Sequence, residues 1–358
     1  MKLKLCILLR LLIPLLALSC ANLNSNTVKT SGENAHIKEP EMVIYEEPVL
    51  HIFFHALVAR PETAFKSRHR EHFLDWYVTA YEYRKILDEL YADNYVLIDI
   101  NEIYEVNNTG NRVRVVYKKP LVPEGKKPMI ISIDDLCYYD IVKRNASVHK
   151  LVIDNKGNIA AWTDNGKGGE LSYDLDVVTY LEEFIKKHPD FSVRGARGII
   201  ALTGFEGVLG YATHKINDAG YEEEKQKAIA VVKKLKQLGW LFASHSWGHP
   251  HLPDITTEQF TADADRWDKE VRPVIGDTNL YIYPYGDGVE NNWEKHAVLL
   301  GKNFNVFFGV GNGIGRREGR GYIYFNRRNI DGVYFKIFIN RKDSLFNIEN
   351  VIDPARPK

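Results

Sequence analysis

From residue 47 onward, short apolar runs alternate with stretches whose apolar residues recur every three or four positions. The runs are Val49–Leu57, Tyr95–Ile100, Met129–Ile133, Gly198–Leu202, Trp240–Ala243, Leu280–Tyr283 and Asn305–Phe308, each short enough for a buried strand. The periodic stretches predict helices over 68–92, 174–187, 222–238, 257–271 and 291–300, the third ended by Gly239. Residues 149–163, HKLVIDNKGNIAAWT, break the rhythm and predict a hairpin turning at Asn155–Asn158. Strand and helix alternate six or seven times, the pattern of a parallel α/β sheet, open or closed into a barrel. In either form, chemistry belongs at the carboxyl ends of the strands.

The first twenty residues differ from the rest. Lys2, Lys4 and Arg10 precede an apolar run from Leu11 to Leu18, then Ser19 and Cys20. The run is too short for the ~20 apolar residues that cross a bilayer, and residues 1–20 read as a secretory signal peptide. Ala17-Leu18-Ser19-Cys20 resembles a bacterial lipobox, which makes Cys20 the expected lipid-modified first residue of the mature chain. Residues 21–46 are polar and without periodicity, as a tether is; a domain over 47–345 and a tail over 346–358 complete the expected organisation. The expected location is outside the cytoplasmic membrane, at the cell membrane or outer envelope through that lipid anchor. The remaining composition is ordinary for a globular protein, at 45% hydrophobic and 26% charged residues. Basic and acidic residues balance at 47 each, so no excess of charge points to nucleic acid. Three cysteines cannot build a disulfide framework, and nothing near Cys137 suggests an activated thiol.

Three polar clusters follow apolar runs. Asp134-Asp135 ends the strand MIISI. Adjacent carboxylates repel, so holding both requires a cation or a shared proton. A metal would divide them, one aspartate bound and the other free as a base. His245-Ser246-Trp247-Gly248-His249 places two imidazoles four residues apart, a spacing that on a helical turn grips one metal ion. Gly248 and Pro250 favour a turn, and His251 extends the cluster as a surface histidine. Tyr283-Pro284-Tyr285-Gly286-Asp287-Gly288 closes a third strand with a rigid loop whose backbone a ligand can approach.

These clusters, in this order, resemble the motifs of the polysaccharide deacetylases with the NodB-homology domain, carbohydrate esterase family four. Ser132-Ile133-Asp134-Asp135-Leu136 matches the first motif; His245, Ser246 and His249, with Pro250 and Leu252, match the second. Pro284-Tyr285-Gly286 matches the third, and Phe54-His55 resembles the histidine that often ends the first strand. The resemblance implies an α/β fold, a distorted (β/α) barrel of the NodB-homology type, here with a small β-hairpin insertion. It implies Asp135, His245 and His249 as ligands of a divalent metal, Zn²⁺ foremost, and Asp134 as general base. The backbone amide of Tyr285 would meet the oxyanion, Trp247, Pro284 and Tyr285 would contact substrate, and Arg327 would orient the base in place of an absent third-motif arginine.

The family's late catalytic histidine has no counterpart: no histidine follows His296, and Val333–Asn340 reads VYFKIFIN. Two main functions therefore stay open, beside a metallohydrolase of another ester or amide bond. The leading one is a metal-dependent hydrolase that removes acetyl groups from an N-acetylated (or O-acetylated) cell-envelope or extracellular polysaccharide. The alternative is a non-catalytic glycan-binding lipoprotein on a deacetylase scaffold. Both expect an acetylated polysaccharide as partner, the membrane through the lipid anchor, and no nucleic acid.

Overall fold

The computed structural model describes residues 40–109 and 112–357. The expected signal peptide, Cys20 and most of the expected tether lie outside the described residues. Seven strands form the centre: β1 (Leu50–Phe54), β2 (Lys127–Ile133), β3 (Ile199–Leu202), β4 (Leu241–Ser244), β5 (Leu280–Ile282), β6 (Val306–Val310) and β7 (Tyr322–Asn329). Each runs parallel to the next in chain order. β7 then pairs with β1 through Arg328↔Ile52 and Asn329↔Phe53, closing the ring. This is the expected (β/α) barrel, with seven regular strands and no open edge at its closure.

Alternation along the strands sorts the side chains into two cores. One parity, including Ile52, Phe54, Ile131, Ile133, Phe242 and Phe307, packs with the apolar faces of the surrounding helices. Those faces come from the helices Ala80–Ala92, Val177–Lys187, Tyr221–Leu238 and Thr257–Glu270, through residues such as Leu87, Leu181, Val232 and Trp267. The other parity, including Ile130, Ala201, Ala243, Ile282, Phe308 and Phe325, fills the barrel interior. Continued toward the carboxyl ends, that second parity turns polar: Ser132 and Asp134 along β2, His245 after β4, Arg327 in β7 and His55 after β1. The barrel is therefore apolar at its base and titratable at its mouth.

Several expectations need correction. The helix expected over 68–92 is two helices, Arg70–Trp76 and Ala80–Ala92. They part because Thr79 caps the second: its hydroxyl accepts from Glu82 N at 3.1 Å, and the Glu82 carboxylate accepts from Thr79 N at 2.7 Å. The tether ends earlier than residue 46, since Met42–Ile44 pairs antiparallel with Leu121–Pro123. The hairpin insertion gains a third strand, with Glu170–Ser172 paired to Ile159–Thr163. A further hairpin, Tyr104–Thr109 with Arg112–Tyr117, was not expected at all, nor was β7.

Residues 346–358 are not a free tail. Phe346, Ile348 and Val351 are buried. Arg356 bonds both oxygens of the fully buried Glu82, at 2.6 and 2.7 Å, and the carbonyls of Leu74 and Tyr77. One guanidinium thus ties the chain end to the break between the two helices. Removing it strands a buried carboxylate, so Arg356→Ala should cost about 3 kcal/mol, measured by urea unfolding. A loss below about 1 kcal/mol would show that the chain end is dispensable.

Candidate metal centre

The closure of the barrel brings β7 within reach of β2. Arg327, with no exposed surface, sends Nη1 to Asp134 Oδ1 at 2.7 Å and Nη2 to Asp134 Oδ2 at 2.9 Å. Nη1 also reaches Ser132 Oγ at 3.0 Å, and the same hydroxyl lies 3.0 Å from His51 Nε2 one strand away. Burial alone would raise the Asp134 pKa. The Arg327 charge and its two hydrogen bonds overcome that and hold it at about 2. Arg327 thus fixes both the plane and the ionisation of Asp134.

Asp135 faces the other way. Its carboxylate accepts from Tyr139 Oη and lies 3.6 Å from His249 Nε2 and 3.8 Å from His245 Nε2. One ligand atom from each of Asp135, His245 and His249 falls within 4.8 Å of the others, so the three could hold one metal ion. The donor set fits a divalent cation. His245 Nδ1 lies 2.8 Å from Ile282 O, which commits that nitrogen as the N–H and leaves the Nε2 lone pair toward the cluster. Burial lowers the His245 pKa, keeping the neutral imidazole a ligand needs, although both aspartates oppose the shift. A His₂Asp set leaves coordination positions for water and substrate.

The histidine pair works through a strained loop, not the helical turn its spacing suggested. Ser246 and His249 have left-handed backbone, φ 58° and 55°, as do Asp135 and Tyr285 at 58° each. Such a conformation costs about 1–2 kcal/mol per non-glycine residue and persists only where neighbours enforce it. The enforcing groups come mainly from the helix Thr257–Glu270. Asp263 accepts from the amides of Trp247 and Gly248, at 2.8 and 2.7 Å. Glu270 accepts from Trp247 Nε1 at 2.8 Å, and the Arg266 guanidinium covers the indole at 3.3 Å. Asp263, Arg266 and Glu270 stand three and four residues apart, a face that helical spacing alone could have picked out.

The three expected substrate contacts have different surroundings. Trp247 is clamped between Arg266 and the backbone of Gly204, where a Cβ would meet its ring at 2.2 Å, so it braces the metal loop. Pro284 is buried and shapes the turn. Tyr285 remains at the surface, 55% exposed, stacked on His251 at 3.8 Å and edge-on to His249 at 4.5 Å. His251 bonds Asp287 and stands outside the ligand set, as expected of a surface histidine. Cys137, the free thiol among the described residues, is pushed up to about 12 by burial and is no nucleophile.

One mouth residue had been noticed without a role. Asp134 N donates to Phe54 O at 2.8 Å, and Ile330 N donates to Phe53 O at 3.0 Å, so His55 sits level with Asp134 on one side and Asp331 on the other. It shares the inward parity of His51 and Phe53, and its charge favours the ionised forms of Asp134 and Asp135. A histidine from the first strand therefore faces the mouth that the late segment leaves without one.

The mouth of the parallel barrel thus joins an Asp-His-His set to a second, arginine-held carboxylate. Residues 213–303 match the family model described as polysaccharide deacetylase, and this segment contains His245, His249 and the Pro284–Gly286 turn. The family that the motifs resemble is thus also the family whose model this segment matches. No curated protein matches the chain. Among solved structures, a Streptococcus pyogenes deacetylase in complex with acetate is similar at 14% identity and a TM-score of 0.40, over 81% of this chain and 94% of that one. A Bacillus cereus polysaccharide deacetylase is similar at 12% identity and a TM-score of 0.43, over 80% of this chain and 66% of that one.

The Arg327–Asp134 pair makes a prediction with a definite pH sign. In the wild type, a folded pKa below the unfolded value adds stability above about pH 4, which is lost as pH falls toward 2. In Arg327→Met the buried carboxylate loses its partner, its pKa rises, and stability should drop by about 3–5 kcal/mol at pH 7. Because protonation then relieves the penalty, the deficit relative to wild type should shrink as pH is lowered toward 4, measured by urea unfolding. A deficit independent of pH would contradict the pairing.

Proposed function

We propose that the protein is a metal-dependent hydrolase that removes acetyl groups from an N- or O-acetylated polysaccharide of the cell envelope or extracellular space. The observation that carries this reading is the opposite treatment of two adjacent carboxylates. Asp134 is held ionised by Arg327 and kept off the ligand set, whereas Asp135 turns to the two imidazoles. A site that only bound metal would have no need of the first. The basic, apolar amino terminus and the Ser19-Cys20 junction support export and lipid anchoring.

Asp135, His245 and His249 would hold a divalent cation such as Zn²⁺, which would supply a Lewis acid to polarise the acetyl carbonyl and acidify water. The chain's own groups do the rest. Asp134 accepts the proton of the attacking water, with Arg327 fixing the direction of its lone pairs. The left-handed turn at Tyr285 offers its amide N–H to the oxygen on which negative charge develops. Tyr285 and His251 form an exposed aromatic stack beside His249 against which a sugar ring can lie. When the C–N bond breaks, His55 gives its proton to the departing amine, and acetate and the free amine leave. Placed at the mouth, His55 favours hydrolysis over a binding-only role.

An amine needs that proton more than an alcohol does, since an amide anion is the poorer leaving group. His55→Ala should therefore slow acetate release from an N-acetylated oligosaccharide by about 10²–10⁴-fold and affect an activated acetate ester far less. Equal losses on both substrates would remove His55 as the acid. No release from either by the metal-loaded wild type, with the oligosaccharide still bound, would favour the binding role.

A further inference from the structure

The three-stranded insertion and the segments after β1 and β2 border an open hollow of about 430 Å³ that the hydrolytic chemistry does not use. Its walls include Arg60, Lys143, Arg144, His149, Lys150 and Trp162. Arg144 pairs with Asp140, the one acidic residue of the lining. Among the described residues no carboxylate lies within ion-pair distance of Arg60, Lys143 or Lys150. Lys150 is positioned by aromatic faces instead, its Nζ 4.7 Å from the Trp162 ring and 5.3 Å from that of Tyr211. Arg60 is pinned by the carbonyls of Lys143 and Ser147, and its buried Nε has no partner. Burial, with the nearby Arg60 charge, lowers the His149 pKa, although Asp164 opposes the shift.

Cations that repel one another around a hollow are stable company for an anion. The hollow is also close to the reaction. The helix Asp140–Asn145 supplies Lys143 and Arg144 and begins five residues after Asp135, at most about 17 Å of extended chain. Tyr139, just before it, bonds Asp135, and Arg60 follows His55 on the same strand exit.

We propose that this pocket binds an anionic group, carboxylate or phosphate, borne by the polysaccharide near the acetyl group to be removed, so that the substrate is an acidic glycan. The inference rests on the deacetylase reading for its substrate and on the pocket alone for its charge preference. Trp162 gives the neighbouring sugar an apolar face, and the insertion becomes the element that selects among acetylated glycans.

The test compares two probes by calorimetry on the metal-loaded full chain. One is an oligosaccharide alternating glucuronate with N-acetylglucosamine, the other an uncharged N-acetylglucosamine oligomer of equal length. The acidic probe should bind at least about tenfold more tightly at low salt, and Lys143→Gln/Lys150→Gln should abolish that preference. The variant should keep its affinity for the neutral probe and its rate on an activated acetate ester, which shows that it is folded; Lys143→Arg/Lys150→Arg should restore the preference. Equal affinities in the wild type, or a preference that survives the Gln variant, would overturn the proposal. So would binding to phosphatidylglycerol vesicles that the Gln variant abolishes without any preference between the oligosaccharides, since the pocket would then serve a lipid headgroup. Failure of the deacetylase reading shows separately, as no acetate released from either probe, and leaves the binding comparison intact.

Discussion

A carboxylate that must stay ionised inside a barrel needs a partner just as buried, and the Arg327–Asp134 pair meets that need. Alone, either charge would be expelled or neutralised, because desolvation costs several kcal/mol per ion. Together, with two parallel hydrogen bonds and Ser132 on the remaining Nη1 direction, they form a fixed acceptor at the mouth. The pair also explains why closure of the ring matters. Arg327 lies on the last strand and Asp134 at the end of the second, and only the seating of β7 against β1 brings them together.

From that acceptor the rest of the site follows by direction. Asp135, one residue on, takes a left-handed backbone and turns its side chain away from Arg327 toward His245 and His249. The histidines can face it because Asp263, Glu270 and the Trp247 brace hold their loop in a conformation it would not keep by itself. Rigidity is supplied by an outer helix and strain is confined to the mouth, as expected where geometry serves chemistry.

Much of this was legible in the residues. The apolar runs located six of the seven barrel strands, because a strand buried on both faces leaves a continuous signature. β7 escaped because its second half, Asn326-Arg327-Arg328-Asn329, is polar, although its inward positions Ile323, Phe325 and Arg327 alternate correctly. The grouping of Asp135, His245 and His249 was readable from the order of the motifs. His55 was noticed but left without a role, because its place beside Asp134 depends on parallel register between strands more than 70 residues apart, which no local pattern encodes. Trp247 stayed divided between sugar contact and loop support for a related reason: aromatic chemistry suits both, and only the Arg266 and Gly204 contacts show the support. The break at Tyr77–Thr79, in contrast, was written in the Thr79-x-x-Glu82 capping box and could have been read.

The central claim is that adjacent aspartates divide base from ligand, and Asp134→Asn separates the two roles with almost no change of shape. Metal content and acetate release from an N-acetylated oligosaccharide should be measured side by side on this variant and the wild type. The account predicts unchanged metal content and loss of acetate release, since Asp134 stands outside the Asp135, His245 and His249 set yet is the proposed proton acceptor. Retained hydrolysis, or loss of the metal together with the activity, would contradict it.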